Sequence, residues 1–89
     1  MKKVVDTLHL AAETHHTAYK LVEGEDPDWA IWYANWLLTL SELPTLLKNL
    51  PNQSELIYDL VMLDKQYTQK SPDISWEEYY AQYLLKNYS

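Results

Sequence analysis

The residues best suited to chemistry cluster early in the chain, where His9, Glu13, His15 and His16 fall within about two helical turns. His9, Glu13 and His16 are spaced four and three apart, so on a helix they stand roughly one above another and offer two imidazoles and a carboxylate to a divalent transition metal. His15 instead falls near the centre of an apolar stripe. Asp64 does the same on a later helix, between Leu60 and Ile57 on one side and Tyr67 on the other. A carboxylate left alone in a core costs several kcal/mol, so the two groups are expected to meet, His15 donating to Asp64 with Tyr19 or Tyr67 close by. Such a buried polar pair fixes which way two helices face each other, or serves as a ligand site.

The element that carries the histidines is a helix from about Lys2 to Glu23. Val5, Leu8, Ala12, His15, Tyr19 and Val22 recur at alternating three and four spacings, Val4, Ala11 and Ala18 widen the stripe, and Gly24 stands where a helix C-terminal stop belongs. On this helix the string Glu13-Thr14-His15-His16 resembles the Glu-x-x-His ligand motif of ferritin-like di-iron proteins, which points into a four-helix bundle. The resemblance covers four residues and implies a metal held between helices. A full site of that kind needs a second Glu-x-x-His, whereas all three histidines sit on this one helix and the third main helix offers only Glu55, Asp59 and Asp64. His9, Glu13 and His16 are therefore expected to form a polar flank facing water. A metal held with an acid from a neighbouring helix or a second copy is the alternative.

The stretch that the other helices must cover is Asp26 to Ser41, with three of the four tryptophans. Asp26 fits an N-cap, Pro27 the first helical position, and Asp28 the positive end of the dipole. From Trp29 to Leu40 only Asn35 and Thr39 are plainly polar, so the helix is apolar on almost every side and has to be wrapped by other helices or by a partner. Its 12 residues are well short of the roughly 20 that cross a bilayer. Glu23, Glu25, Asp26 and Asp28 before it read as a solvated acidic corner, without the oxygen spacing of a calcium loop.

Ser41 to Pro51 is bracketed by prolines and predicts one or two helical turns packing Leu43, Leu46, Leu47 and Leu50 as a lid. Asn52-Gln53-Ser54-Glu55 is an Asn form of the capping box, opening a helix to about Lys70 with Leu56, Ile57, Leu60, Val61, Leu63 and Tyr67 on its apolar face; Ser71-Pro72 ends it. Ser75-Trp76-Glu77-Glu78 is a second capping box, with Ile74 and Tyr79 as a hydrophobic staple, and Trp76, Tyr79, Tyr80, Tyr83 and Leu84 form the buried side to about Asn87. No segment alternates with period two for long enough to be a strand. The chain is expected to be a single all-α domain over residues 1–89, a bundle of four main helices and one short connector around a central Trp-rich helix.

Composition narrows the function. Thirteen acidic residues against seven lysines and no arginine give a formal charge of -6, which repels phosphate backbones and anionic lipid alike and argues against nucleic-acid and membrane partners. Zero cysteines exclude disulfides and thiol chemistry. One glycine leaves no Gly-rich phosphate cradle. Asp6, His9 and Glu13 interrupt any signal-like apolar region, so a cytoplasmic location is expected. Four Trp and eight Tyr with no Phe suit half-buried positions at a core rim or an interface. Tyr58, Leu10 and Leu21 fall off their helices' main stripes and add apolar surface.

These features point to binding rather than catalysis. The reading is a small acidic interaction module, self-associating as a homodimer or acting as an accessory subunit, with Trp29, Trp32, Tyr33 and Trp36 as its interaction face and no cofactor. The alternative is a metal- or ligand-binding bundle built on Glu13, His15, His16 and Asp64, with the tryptophans as pocket walls.

Overall fold

The computed structural model describes residues 1–19 and 28–88, apart from the side chains of Ala18 and Tyr19. Its elements are five helices: α1 Lys2–Tyr19, α2 Trp29–Thr39, α3 Leu43–Leu46, α4 Gln53–Lys70 and α5 Trp76–Tyr88. Residues 20–27, with the Gly24 stop, Leu21, Val22, most of the acidic corner and the Asp26-Pro27 start signal, lie outside the described residues.

The helix ends follow cap chemistry. Asn52 Oδ1 accepts from the Glu55 N–H at 2.8 Å while Glu55 Oε1 accepts from the Asn52 N–H at 3.0 Å, the reciprocal pair of a full capping box. At the other end of α4 the backbone turns left-handed at Ser71, with φ 42° and ψ 55°, and the Ser71 N–H returns to the Tyr67 carbonyl at 2.9 Å. Pro72 cannot continue the helix, which fixes the stop. Ser75 Oγ accepts from the Glu78 N–H at 3.2 Å to open α5. Between α2 and α3, Ser41 Oγ donates to the Leu37 carbonyl at 2.6 Å and accepts from the Leu43 N–H at 3.0 Å, so one hydroxyl closes one helix and opens the next. The described part of α2 begins at Trp29, with Asp28 immediately before it.

Four helices form a ring in which α1 packs on α2, α2 on α4, α4 on α5, and α5 back on α1; α3 closes one end against α1 and α2. Among the described residues the diagonal pairs, α1 with α4 and α2 with α5, make no close backbone approach. The radius of gyration is 12.6 Å, near the roughly 12–13 Å of a packed chain this long.

The core is built of leucine and alanine. Val4, Leu8 and Ala11 of α1, Ala30, Ala34 and Leu37 of α2, Leu43 and Leu47 around α3, Leu56, Leu60 and Leu63 of α4, and Tyr80, Ala81 and Leu84 of α5 are buried. The inner face of α2 is thus Ala30-Ala34-Leu37 at i, i+4 and i+7, small residues that let α4 come close. Its tryptophans are left half-buried on the flanks. The α3 lid is narrower than its leucines suggested: Leu43 and Leu47 are buried and Leu46 half-buried, but Leu50 is 48% exposed. The loop is held instead through its backbone, the Asn49 N–H donating to the Tyr88 carbonyl at 2.7 Å.

Candidate functional site: an aromatic cleft between α2, α4 and α5

The diagonal gap between α2 and α5 opens as a cleft of about 320 Å³ lined by Trp29, Tyr33, Asp64, Tyr67, Trp76 and Tyr80. Two of its walls have the same local construction. Trp29 and Trp76 are the first residues of α2 and α5, and Tyr33 and Tyr80 lie four residues on, on the same helix face. Trp29 meets Tyr33 edge to face at 5.7 Å and 85°, and Trp76 meets Tyr80 at 5.1 Å and 73°. Each pair forms a corner of two rings nearly at right angles, a favourable arrangement for ring quadrupoles.

Tyr67 supplies the third wall from α4. Its hydroxyl donates to the Ile74 carbonyl at 2.8 Å, and its ring packs edge to face on Tyr79 at 5.6 Å. A phenol anchored at its tip and flank loses little further freedom when something docks beside it. Tyr79 is held in turn by its hydroxyl contact with Gln66 Oε1 at 3.3 Å.

Among the described residues Asp64 is the one ionisable side chain of the lining other than tyrosine. It is exposed, which corrects the expectation that it is a core carboxylate in need of His15. His15 is half-buried against α2, its ring edge to face with Trp32 at 5.0 Å and with Tyr33 at 5.1 Å. It thus braces the tyrosine that lines the cleft. Tyr19 ends α1, but its side chain is outside the described part of the structure.

Two phenols of the cleft, Tyr80 and Tyr33, are biased toward the protonated form. Burial pushes the Tyr80 hydroxyl well above the ordinary tyrosine value, with Asp64 adding to the shift, and burial followed by Glu77 raises Tyr33. Both shifts run opposite to what a phenol needs to act as a base or nucleophile near neutral pH.

The buried carboxylate of α4 is Asp59, 4% exposed. It accepts from Tyr83 Oη at 3.1 Å and, through its other oxygen, from Tyr88 Oη in a short hydrogen bond. The carboxylate that needed partners in the core therefore finds two phenols of α5, not a histidine of α1. Burial and the hydrogen bond and charge of Asp59 raise both tyrosines above their usual value.

Of the polar flank on α1, His9 is exposed and engaged at both ring nitrogens: Nδ1 faces Glu77 Oε2 at 2.9 Å and Nε2 faces Glu13 Oε1 at 3.0 Å. A neutral imidazole has only one donor, so two carboxylate acceptors favour the doubly protonated ring. The hydrogen bond to Glu77, supported by Glu13, raises the His9 pKa. Among the described residues no three His, Asp or Glu side chains converge on a common point that would hold an ion, and His9, Glu13 and His16 are exposed on α1. Glu77 is the functional surprise here, an α5 first-turn acid that ties α5 to α1 through His9.

No family model, curated protein or solved structure matches the chain. The site has to be understood from its own residues. The structure brings Trp29 and Tyr33, two of the residues of the expected interaction face, together with Tyr67, Trp76 and Tyr80 from the apolar faces of α4 and α5; Tyr80 is buried, as its position predicts. The signal that links them was present: Trp-x-x-x-Tyr occurs at the first turn of two different helices.

Trp36 belongs to a second depression. Stacked on Trp32 at 6.2 Å and 9°, it faces a groove of about 510 Å³ shared with Lys3, Asp6, Thr7, Leu10, Leu40, Ser41 and Glu42. Leu10 and Leu40 on its borders are 51% and 73% exposed. None of the helices is long and apolar enough to cross a membrane among the described residues.

Proposed function

We propose that this protein is a small interaction module that acts by binding, and that the cleft between α2, α4 and α5 is where its ligand is received. The observation that carries the reading is the placement of five Trp and Tyr rings around one open cleft, four of them half-buried and Tyr80 reaching it from the core. Rigid aromatic side chains with few rotatable bonds give large contact area at low entropic cost, which is why they dominate binding hot spots. The raised pKa values of Tyr33 and Tyr80 support walls and hydrogen-bond donors in preference to acid-base catalysts.

A photo-crosslinking residue placed at Trp76 in native cells, with Lys70 as the exposed control position, tests this. A discrete adduct formed from position 76 and absent from position 70 is the expected result. Identical adduct patterns from both positions overturn the cleft as the binding site.

A second reading, self-association, is favoured by the groove beside Trp36. Leu10 and Leu40 are apolar and exposed there, and Lys3 lies on the same rim as Asp6 and Glu42. A two-fold interface has to be self-complementary, and a rim with both signs of charge meets that need. Native mass spectrometry of the wild type and Leu40→Lys reads it directly: a dimer lost in the variant supports association, and a wild-type monomer at tens of micromolar removes it.

A further inference from the structure

We infer that the cleft takes an organic ammonium group, a quaternary or alkylated amine whose positive head sits among Trp29, Tyr33, Tyr67, Trp76 and Tyr80 with Asp64 at its side. The inference rests on the proposal that the cleft is a binding site and adds the chemistry of what enters it.

Three observations converge on a cation. The first is the ring geometry. Aromatic faces carry negative quadrupole potential, and with Trp29 perpendicular to Tyr33 and Trp76 perpendicular to Tyr80, whichever way a corner is entered one ring of the pair turns a face toward the guest. Several rings around a compact onium head are the known physical solution for binding a cation that cannot be fully hydrated. The second is the charge of the lining. Among the described residues Asp64 is its one carboxylate and no lysine lines it, so an anion meets repulsion there and a neutral guest gains nothing from the carboxylate. The third is the whole chain, with a formal charge of -6 and no arginine to fold into the cleft as an internal guest.

The opposing term is the pair of helix N-termini at Trp29 and Trp76, whose partial positive charge disfavours a cation. Asp28 before α2 and Glu77 and Glu78 in the first turn of α5 offset those ends. The volume, about 320 Å³, is at the small end of ligand sites, which suits a head group and not an extended molecule. The same chemistry is carried by a free quaternary amine and by a methylated lysine side chain of a partner protein.

The test is NMR of indole-¹⁵N-labelled protein, with the four tryptophans assigned by single Phe substitutions. Trp29 and Trp76 report the cleft, and Trp32 and Trp36, which do not line it, are internal controls. The probes are choline, its uncharged tert-butyl analogue with carbon in place of nitrogen, and a short peptide carrying trimethyllysine or unmodified lysine. Saturable shifts of the Trp29 and Trp76 indoles with choline, none with the neutral analogue, and binding about three- to tenfold weaker in Asp64→Asn are expected, the last because an exposed charge at contact distance contributes about that much. Stronger shifts with the trimethyllysine peptide than with choline place the ammonium on a protein partner; the reverse order places it on a free amine. Equal binding of the neutral analogue with no effect of Asp64→Asn overturns the ammonium inference and leaves the cleft as a binding site. No shift with any probe also overturns it, and crosslinking from position 76 then decides separately whether the cleft is used at all.

Discussion

Asp59 shows how much one side chain settles in a domain of this size. Its carboxylate is buried, and among the described residues the side-chain hydrogen bonds it accepts come from α5, through Tyr83 and Tyr88. Tyr88→Phe keeps the ring and removes a hydrogen bond to a charged group, an expected loss of about 1–2 kcal/mol in urea denaturation given the partial exposure of the site. Asp59→Ala is expected to cost about 3 kcal/mol, because it strands both phenols and leaves a cavity. The pH dependence has a definite sign. Burial and Asp59 raise the folded-state pKa of Tyr83 and Tyr88 above the unfolded value of about 10. The stability they contribute is therefore complete below about pH 10 and is lost as pH climbs through the folded values. Tyr88→Phe should flatten that alkaline decline, measured as the urea midpoint against pH. At His9 the same logic falls in the physiological range. Its folded pKa is raised, chiefly by Glu77, so the link between α1 and α5 is fully formed below about pH 6.5 and weakens as pH rises through the folded pKa. Glu77→Gln should return the His9 titration, followed by NMR of the ring protons, toward the ordinary histidine value; an unchanged titration removes Glu77 as the cause.

At the scale of elements, local chemistry was legible and angular position was not. The start of α4 was readable at Asn52 and its stop at Ser71-Pro72 because caps are made by residues adjacent in sequence. The Asn52 box is complete, whereas the bond that opens α5 is the single contact of Ser75 Oγ to the Glu78 N–H. Asn52→Ala should accordingly destabilise by about 1 kcal/mol or more and Ser75→Ala by less, compared by thermal melting. What failed was the centre of the stripe on α4. Helical periodicity alone placed Asp64 inside and left Asp59 as a spare carboxylate, but the packed face runs through Leu56, Asp59, Leu60 and Leu63. Apolar residues spread around so much of that helix that the pattern fixes a broad arc. The choice within the arc was made by the phenols of α5, which no periodicity within α4 reports. The same limit applies to α2, where three tryptophans dominate the pattern and two alanines with Leu37 make the core contact.

For the whole molecule, the all-α bundle and its connector followed from helix signals, while the ring order of the helices, and with it the cleft, depended on contacts between elements far apart in sequence. That order has an energetic consequence. If Trp29, Tyr33, Tyr67 and Trp76 serve a ligand, the fold should depend on them less than their size implies, because half-buried rings leave no sealed cavity when removed. Leu60 is fully buried at the centre of α4, and Leu60→Ala is expected to cost about 3–5 kcal/mol. Against a total stability of about 5–8 kcal/mol for a domain this small, that leaves little margin. The Trp76 side chain is far larger, yet it is half-buried and lines the open cleft. Trp76→Ala should therefore cost no more than about 2 kcal/mol, below the about 3–5 kcal/mol found for tryptophans sealed in cores. Urea denaturation of the two variants beside the wild type gives the comparison. A loss at Trp76 as large as that at Leu60 would make the rings structural, and the aromatic surplus of this chain would then be a core built from oversized parts. A small loss at Trp76 beside a large one at Leu60 separates the residues that hold the bundle together from those that the bundle holds open.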